Sequence, residues 1–306
     1  MKKDFIRKIL GTAAMTALVG VMTSAMVISF AGCAGGKNTG GEAAITVITR
    51  EKGSGTRDAF IELTEILKKD SAGNKTDETY SEAITIESTQ GIISNVSSDK
   101  NAVGYISLGS LNSTVKAVKV ENTEATAVNV KSGTYKLARP FKIAAKATTL
   151  SAAGQDFINY IMSSEGQKII EDKGYIAVEE NASAYVKDEN ATGKVRISGS
   201  SSVSPAMEKL KEEYKKVNPD VTIEIQTTDS SAGISDLIKD NCEIAMASRD
   251  LKESEIGEGS NALVETKIAM DGIAVIINKD NECINLTIEQ IKEIFTGEVT
   301  KWENVK

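Results

Sequence analysis

Two stretches far apart in the chain share one design: a short β-rich run, a Gly/Ser/Thr cluster, then an amphipathic helical pattern. The first is ITVITREKGSGTRDAF at 45–60 and the second is VRISGSSSVSPAM at 195–207. A third turn of this kind, TTDSSAG at 227–233, follows an apolar run at 221–226 and opens the helical spacing of Ile234, Leu237 and Ile238. Each turn places unhindered backbone N–H groups and hydroxyls at a helix start, where the helix dipole is positive. Such a turn captures an anion without a large net positive charge. Taken singly, each is also an ordinary helix cap. Three with the same donor chemistry are harder to explain that way.

The bulk composition narrows the chemistry. A chain of 306 residues suits two domains, each with its own core. A net charge of −7 and the lack of any dense basic run argue against a nucleic-acid partner. There is no His, which removes the commonest general base and the commonest zinc ligand. Cys33, Cys242 and Cys283 form neither a metal-type spacing nor a dense disulfide framework, and a Cys242–Cys283 bridge stays open. These counts point to binding rather than catalysis, with no metal and no cofactor.

The N-terminus has the pattern of an export segment. Lys2, Lys3, Arg7 and Lys8 precede an apolar, uncharged run at 9–30 that is long enough to span a bilayer as a helix. Phe30-Ala31-Gly32-Cys33 resembles a bacterial lipobox, with Phe30 where Leu is usual. On that resemblance, residues 1–32 are a lipoprotein signal peptide, Cys33 is lipidated, and the Gly-rich residues 33–42 form a flexible tether. The alternative is an uncleaved anchor. Both tether the chain outside the cytoplasmic membrane.

The body reads as α/β. Strand patterns fall at 44–49, 195–198, 221–226 and 273–278, with shorter ones near 103–106 and 141–144. Helical spacing links Ala59, Phe60, Leu63, Ile66 and Leu67, and again Val203, Met207, Leu210 and Tyr214. Thr287 with Gln290 makes a capping box, and a helical stretch at 151–173 stops at Gly174 with a break near 163–166. Alternating strands and helices imply largely parallel sheets that bind ligands at the carboxyl ends of their strands. The polar segment 179–193 is expected to be a surface connection.

The segments TREKGSGTRDAF, NAVGYISLG, ISGSSSVSP, TTDSSAGISDLI, IAMASRDL, MDGIAVIIN and LTIEQIKEIFTGEVTKW are similar to those of the PstS family, phosphate-binding proteins of bacterial ABC phosphate importers. The resemblance covers nearly all of 43–306, and RxxGSGT together with FTGxxxxW is its most specific part. The order differs. In the family ISGSSSVSP comes first and TREKGSGTRDAF follows the FTG…KW segment. Here the chain opens on TREKGSGT, passes through FINYIMSSEGQKIIEDKGYIAV, and only then reaches VRISGS. Each segment occurs once, so the order resembles a circular permutation, with 179–193 joining the old ends. The last strand–helix pieces are then expected to pack against the first.

The resemblance implies a two-lobe, type II periplasmic-binding-protein-like fold with mixed sheets, helices on both faces and a ligand cleft between lobes. Residues 43–122 with 270–306 would form a split lobe, and 123–269 a continuous one. Inorganic phosphate would be held by Arg50, Ser54, Gly55 and Thr56 from the first and by Ser201, Ser202 and Ser230 from the second. Some members place an Asp directly after the Ser matching Ser248, where it accepts the proton of hydrogen phosphate and rejects sulfate. Arg249 stands there instead, and among Asp229, Asp250 and Asp271 the expected acceptor is Asp271, which opens the MDGIAV segment at a crossover. The plain alternative for Asp271 is a loop acid or hinge cap. The implied function is a monomeric, lipid-anchored receptor on the outer face of the cytoplasmic membrane, delivering phosphate to the transmembrane subunits of an ABC importer. Competing readings are a sulfate- or molybdate-binding protein, or a non-transport sensor on the same fold. A phosphate-ester hydrolase would lack a base or an activating ion.

Overall fold

Each of the three Gly/Ser/Thr turns joins a strand to a helix in the computed structural model, which describes residues 44–71, 73–257 and 262–305. The expected signal peptide, the Cys33 lipidation site and the tether lie outside the described residues. The chain runs through β1 (Thr46–Arg50), α1 (Gly55–Leu63), β2 (Leu67–Lys69), β3 (Lys75–Asp77), β4 (Ile84–Ile86) and α2 (Thr89–Ser98). It continues through β5 (Ala102–Ser107), β6 (Val115–Ala117), β7 (Lys119–Val120), α3 (Ala127–Lys131) and β8 (Ala138–Lys146). Next come α4 (Ala152–Met162), α5 (Ser164–Asp172), β9 (Gly193–Ser200), α6 (Ser204–Val217), β10 (Val221–Thr228) and α7 (Ser230–Ile238). The last elements are β11 (Ile244–Ala247), α8 (Glu253–Ile256), β12 (Leu263–Asn278), β13 (Asn285–Leu286) and α9 (Ile288–Thr296).

A nine-stranded sheet in the order β10-β9-β11-β8-β12-β5-β1-β4, with β6 also on β12, is the frame. Its two wings are parallel, β10-β9-β11 on one side and β5-β1-β4 on the other. They are joined through β8 and β12, which are antiparallel to each other and to their neighbours. The sheet is therefore mixed, not largely parallel. The strand expected at 273–278 is only the second half of β12. Residues Leu263–Gly272 pair with β8, and from Ile273 onward the same strand pairs with β5. The first half includes exposed positions such as Val264, which hides it from a search for continuous apolar runs.

Each wing has its own core. Phe157, Leu210, Tyr214, Val195, Ile197 and Met246 pack together under β9 and β11. Phe60, Tyr105 and Phe295 pack in the other wing, with Phe60 stacked on Tyr105 at 3.9 Å and edge-on to Phe295 at 4.8 Å. Val130, Tyr135 and Leu137 belong to that second core. The Phe60–Tyr105–Phe295 trio binds α9 to α1, because α9 supplies Phe295 and α1 supplies Phe60. Ile45 N–H donates to Thr300 O at 2.8 Å and Trp302 Nε1 to Asn101 O at 3.0 Å, so the last segment packs on the first as expected.

Local signals were accurate at several ends. Thr287 and Gln290 form the capping box of α9. The 151–173 stretch breaks at Ser163, whose hydroxyl caps α5, and Gly174 follows at φ +83°. The helical spacing through Leu67 overshoots, however. α1 stops at Leu63, Glu65 takes φ +58°, and Leu67 enters β2. The Thr64 hydroxyl bonds the Phe60 carbonyl at 2.7 Å, supplying a local partner at the helix end. Both Cys242 and Cys283 are free thiols. No helix among the described residues is long and apolar enough to cross a membrane.

The irregular segment between α5 and β9 is tied down largely by the Asp156 carboxylate, with Glu165 Oε2 also accepting from Tyr185 N–H at 2.9 Å. Asp156, buried on α4, accepts from Tyr214 OH at 2.5 Å, Tyr185 OH at 2.6 Å, Asp188 N–H at 3.0 Å and Asn218 Nδ2 at 3.1 Å. Burial pushes its pKa up, but bonds from Tyr185, Tyr214, Asp188 and Asn218 outweigh that and hold it below the ordinary carboxylate value. A depressed folded pKa contributes stability that is present above about pH 4 and lost as pH falls through the folded value. Asp156→Ala should lower unfolding free energy by about 3 kcal/mol in urea titrations. Asp156→Asn should flatten the acid limb of the stability profile.

Candidate functional site

Four helix beginnings converge where the wings meet. Gly53, at φ +99°, turns the chain after β1, and Ser54 caps α1 by accepting from Arg57 N–H at 3.3 Å. Ser200 ends β9 and leads through Ser201 and Ser202 into α6, which has Pro205 in its first turn. Asp229 caps α7 and Ser88 caps α2. The first-turn amides of each helix have no intrahelical acceptor, so the junction gathers positive dipole ends.

The turns are in direct contact. Arg50 Nη2 donates to Ser201 Oγ at 3.1 Å, joining residues 151 positions apart. Thr56 Oγ1 and Ser202 Oγ lie 2.8 Å apart. Thr89 Oγ1 stands 3.3 Å from Ser202 Oγ, 3.4 Å from Ser201 Oγ and 3.4 Å from Arg50 Nη1. Ser231 N–H donates to Gly53 O at 3.2 Å. Behind these, Ser200 Oγ donates to Ser248 Oγ at 3.0 Å, and Ser248 N–H donates to Ser230 Oγ at 3.1 Å. Gly55 is required by this approach: a Cβ there would lie 2.5 Å from Ser230 Oγ and 2.8 Å from Ser248 Oγ.

Arg50 is buried and clamped. Glu51 takes Nε at 2.7 Å and Nη2 at 2.6 Å, while the Arg50 amide donates to Tyr105 OH at 3.2 Å. Its carbonyl accepts from Arg57 Nη1 at 2.8 Å, and Arg57 is in turn held by Asp77 at 2.7 Å. The guanidinium is thus fixed with its charge already balanced, leaving dipoles to dominate the surroundings.

Of the residues singled out in the sequence, Arg50, Thr56, Ser201 and Ser202 touch one another, and Gly55 and Ser230 face across the same junction. Ser54 uses its hydroxyl as the α1 cap. Asp271 stands one layer behind. It is fully buried, with Oδ1 accepting from Ser107 Oγ at 2.9 Å and Oδ2 accepting from Arg139 Nε at 3.2 Å and Nη2 at 3.1 Å. Burial pushes its carboxyl up to about 6 against the pull of Arg139, Ser107 and the Gly109 amide. Its link to the junction runs through Arg139, whose Nη1 donates to Ser248 O at 3.2 Å. Arg249 pairs with Glu255 at 2.7 Å and Asp58 at 3.0 Å, and donates to Ser231 Oγ at 3.0 Å.

Sequence reading did not name Thr89 or Arg139, and it noted Ser200 within the second cluster and Ser248 beside Arg249 without giving either a place in the site. Thr89 was detectable in principle, since ITIESTQGII repeats the strand–turn–helix grammar with a three-residue strand. Arg139 carries no local signature, because its role depends on which strands become neighbours.

A family model described as a PBP superfamily domain matches residues 31–165 and 186–306. The chain is 45% identical over 305 residues to the phosphate-binding protein PstS 2 of Streptococcus agalactiae serotype V, covering 100% of this chain and 99% of that one. It is 43% identical over 262 residues to PstS 2 of Streptococcus pneumoniae serotype 4, covering 86% and 88%. It is also similar to the crystal structure of a phosphate ABC transporter, phosphate-binding protein from S. pneumoniae TIGR4. There the TM-score is 0.68 at 42% identity, covering 86% of this chain and 100% of that one. The match to the S. agalactiae protein runs end to end, so the two chains share one segment order.

Two substitutions probe the junction. Gly55→Ala should wedge it open through the Ser230 and Ser248 contacts, and small-angle scattering should show a larger radius of gyration than for the unaltered protein. Asp271→Asn removes the negative partner of the buried Arg139, so chemical denaturation should show a loss of about 3 kcal/mol.

Proposed function

Because the chain belongs to the PstS family within the PBP superfamily, we propose that it binds inorganic phosphate between its two lobes and delivers it to an ABC importer. The observation that carries this reading is the Arg50–Ser201 hydrogen bond at 3.1 Å, which brings two remote anion-type turns to one point. Phosphate would enter among Arg50, Gly55, Thr56, Ser201, Ser202 and Ser230, exchanging hydroxyl–hydroxyl bonds for charge-assisted ones. Thr89 and Ser248 would add donors from α2 and from the end of β11. Ser54 contributes through the cap that orients α1, and Asp271 through Arg139 and the Ser248 carbonyl.

The lobes in this reading are the split one, 43–122 with 270–306, around Phe60, Tyr105 and Phe295, and the continuous one, 123–269, around Phe157 and Tyr214. Val130, Tyr135 and Leu137, inside the 123–269 span, pack with the split lobe's core, so in this reading the continuous lobe begins after residue 137 and the hinge falls on β8 and β12. The chain acts as a monomeric binding protein without catalysis, tethered by a lipid on Cys33 at the outer face of the cytoplasmic membrane. Nearby carboxylates have partners: Glu51 has Arg50, Asp271 has Arg139, and Asp229 accepts from Ala232 N–H. Hydroxyls, which both donate and accept, are therefore the groups that must read the protonation state of the anion.

Calorimetric titration of protein freed of phosphate by unfolding and refolding tests the reading. Phosphate should bind with one site per chain, sulfate should bind more weakly, and Arg50→Ala should weaken phosphate binding about 100-fold. Unchanged affinity in Arg50→Ala, or no heat from phosphate with the unaltered protein, would overturn it.

A further inference from the structure

A second set of contacts joins the lobes outside the hydroxyl cluster. Asp58, on α1, places Oδ2 2.9 Å from Lys252 Nζ and 3.0 Å from Arg249 Nε. Asp58 Oδ2 accepts a hydrogen bond from neither cation, so both contacts are ion pairs. The cations are braced from behind. Glu255 accepts from Arg249 Nη1 and Nη2, each at 2.7 Å, and from Lys252 N–H at 2.8 Å, while Ser231 Oγ accepts from Arg249 Nη2 at 3.0 Å.

The two sides of this contact belong to different cores. α1 buries Phe60 and Ile61 with Tyr105 and Phe295, whereas Leu251, between Arg249 and Lys252, packs with Ile234, Leu237 and Ala247. Lobe separation would break the contact. It borders a cavity of about 730 Å³ that Lys52, Asp58, Arg139, Arg249 and Lys252 help to line. The hydrogen bonds of the Arg50, Thr56, Ser201 and Ser202 side chains do not involve Asp58.

The geometry points to Asp58 as a positioning residue that latches the closed lobes through Arg249 and Lys252 and so sets how long the anion stays bound. A contact present only after closure stabilises the closed state without touching the ligand, and therefore slows release more than it alters capture. Asp58 is 26% exposed and Lys252 52%, so salt weakens the latch. The inference rests on the phosphate reading for its kinetic form, but not for its structural one.

Stopped-flow measurement of phosphate binding and release tests it. Asp58→Asn should release phosphate about tenfold faster, with its association rate within about twofold of the unaltered protein's. Raising salt from about 0.05 M to about 0.5 M should speed release from the unaltered protein and leave Asp58→Asn nearly indifferent. Lys252→Gln should shift release the same way by a smaller factor, which keeps the test available should Asp58→Asn fold poorly. An unchanged release rate and salt response in both variants would overturn the latch. Should the unaltered protein bind no phosphate, the phosphate reading fails on its own. Scattering then decides the latch: a larger radius of gyration in Asp58→Asn supports it and an unchanged one ends it.

Discussion

A guanidinium with almost no access to water sits where the sheet changes partners. Arg139 on β8 lies opposite Asp271 on β12, at the register position just before β12 leaves β8 and takes up β5. An unpaired charge at that depth would be strongly destabilising, so the two strands are constrained to keep this alignment. The alignment has consequences on both sides. Toward β5 it fixes Ser107, which bonds Asp271, and toward β11 it fixes the Ser248 carbonyl, which accepts from Arg139. Ser248 then places its hydroxyl and amide against Ser200 and Ser230. The position of the hydroxyl cluster thus follows from one buried ion pair on the strands that join the lobes.

The same logic explains how an acidic chain attracts an anion. The net charge is −7, and the guanidinium of Arg50, which contacts the Ser201 turn, is already paired with Glu51. Monopoles therefore supply little local field. What remains is dipolar: helix starts at Gly55, Thr89, Ser204 and Ser230, and hydroxyls held by one another in a region shielded from water. Dipoles in a low-dielectric setting act strongly over short range and vanish beyond it. A site of this kind discriminates by fit and by hydrogen-bond complementarity rather than by long-range attraction.

The residues that lie on a strand-to-helix turn were legible in the sequence because their signal is local. GSGT, SGSSS and DSSAG announce themselves within a few positions, and so did the Thr287–Gln290 box and the break at Ser163. What stayed hidden depends on pairing across distance. Arg139 reads as an unremarkable charge in KLARPF until β8 is set beside β12. Leu263–Gly272 offers no continuous apolar run, so its strand emerges only once β8 supplies a partner. Asp271 carried the opposite difficulty. Its place at a crossover was readable, but its two oxygens are taken by Ser107 and Arg139, which only the folded arrangement shows.

Segment order matters less to this architecture than strand adjacency, and the reason is physical. The sheet needs β9, β10 and β11 side by side, β1, β4 and β5 side by side, and two long strands between them. None of those adjacencies requires that β9 precede β1 in the chain. What it requires is that each break fall where the free ends can be satisfied by neighbours. Ala44 bridges Lys301, the amide of Ile45 donates to Thr300, and the indole of Trp302 donates to Asn101, so segments 44–45 and 300–302 are satisfied by each other and by the loop before β5. At the other junction Asp156 gathers Tyr185, Asp188, Tyr214 and Asn218, giving an irregular connection the fixed anchor that a loop of its length lacks by itself. Because the S. agalactiae relative aligns end to end, this order is shared and not peculiar to one chain. The hydroxyl cluster where we propose that phosphate binds lies at the seam between the wings, away from both junctions, and it is built from adjacency alone; the order of the chain can therefore change without disturbing it.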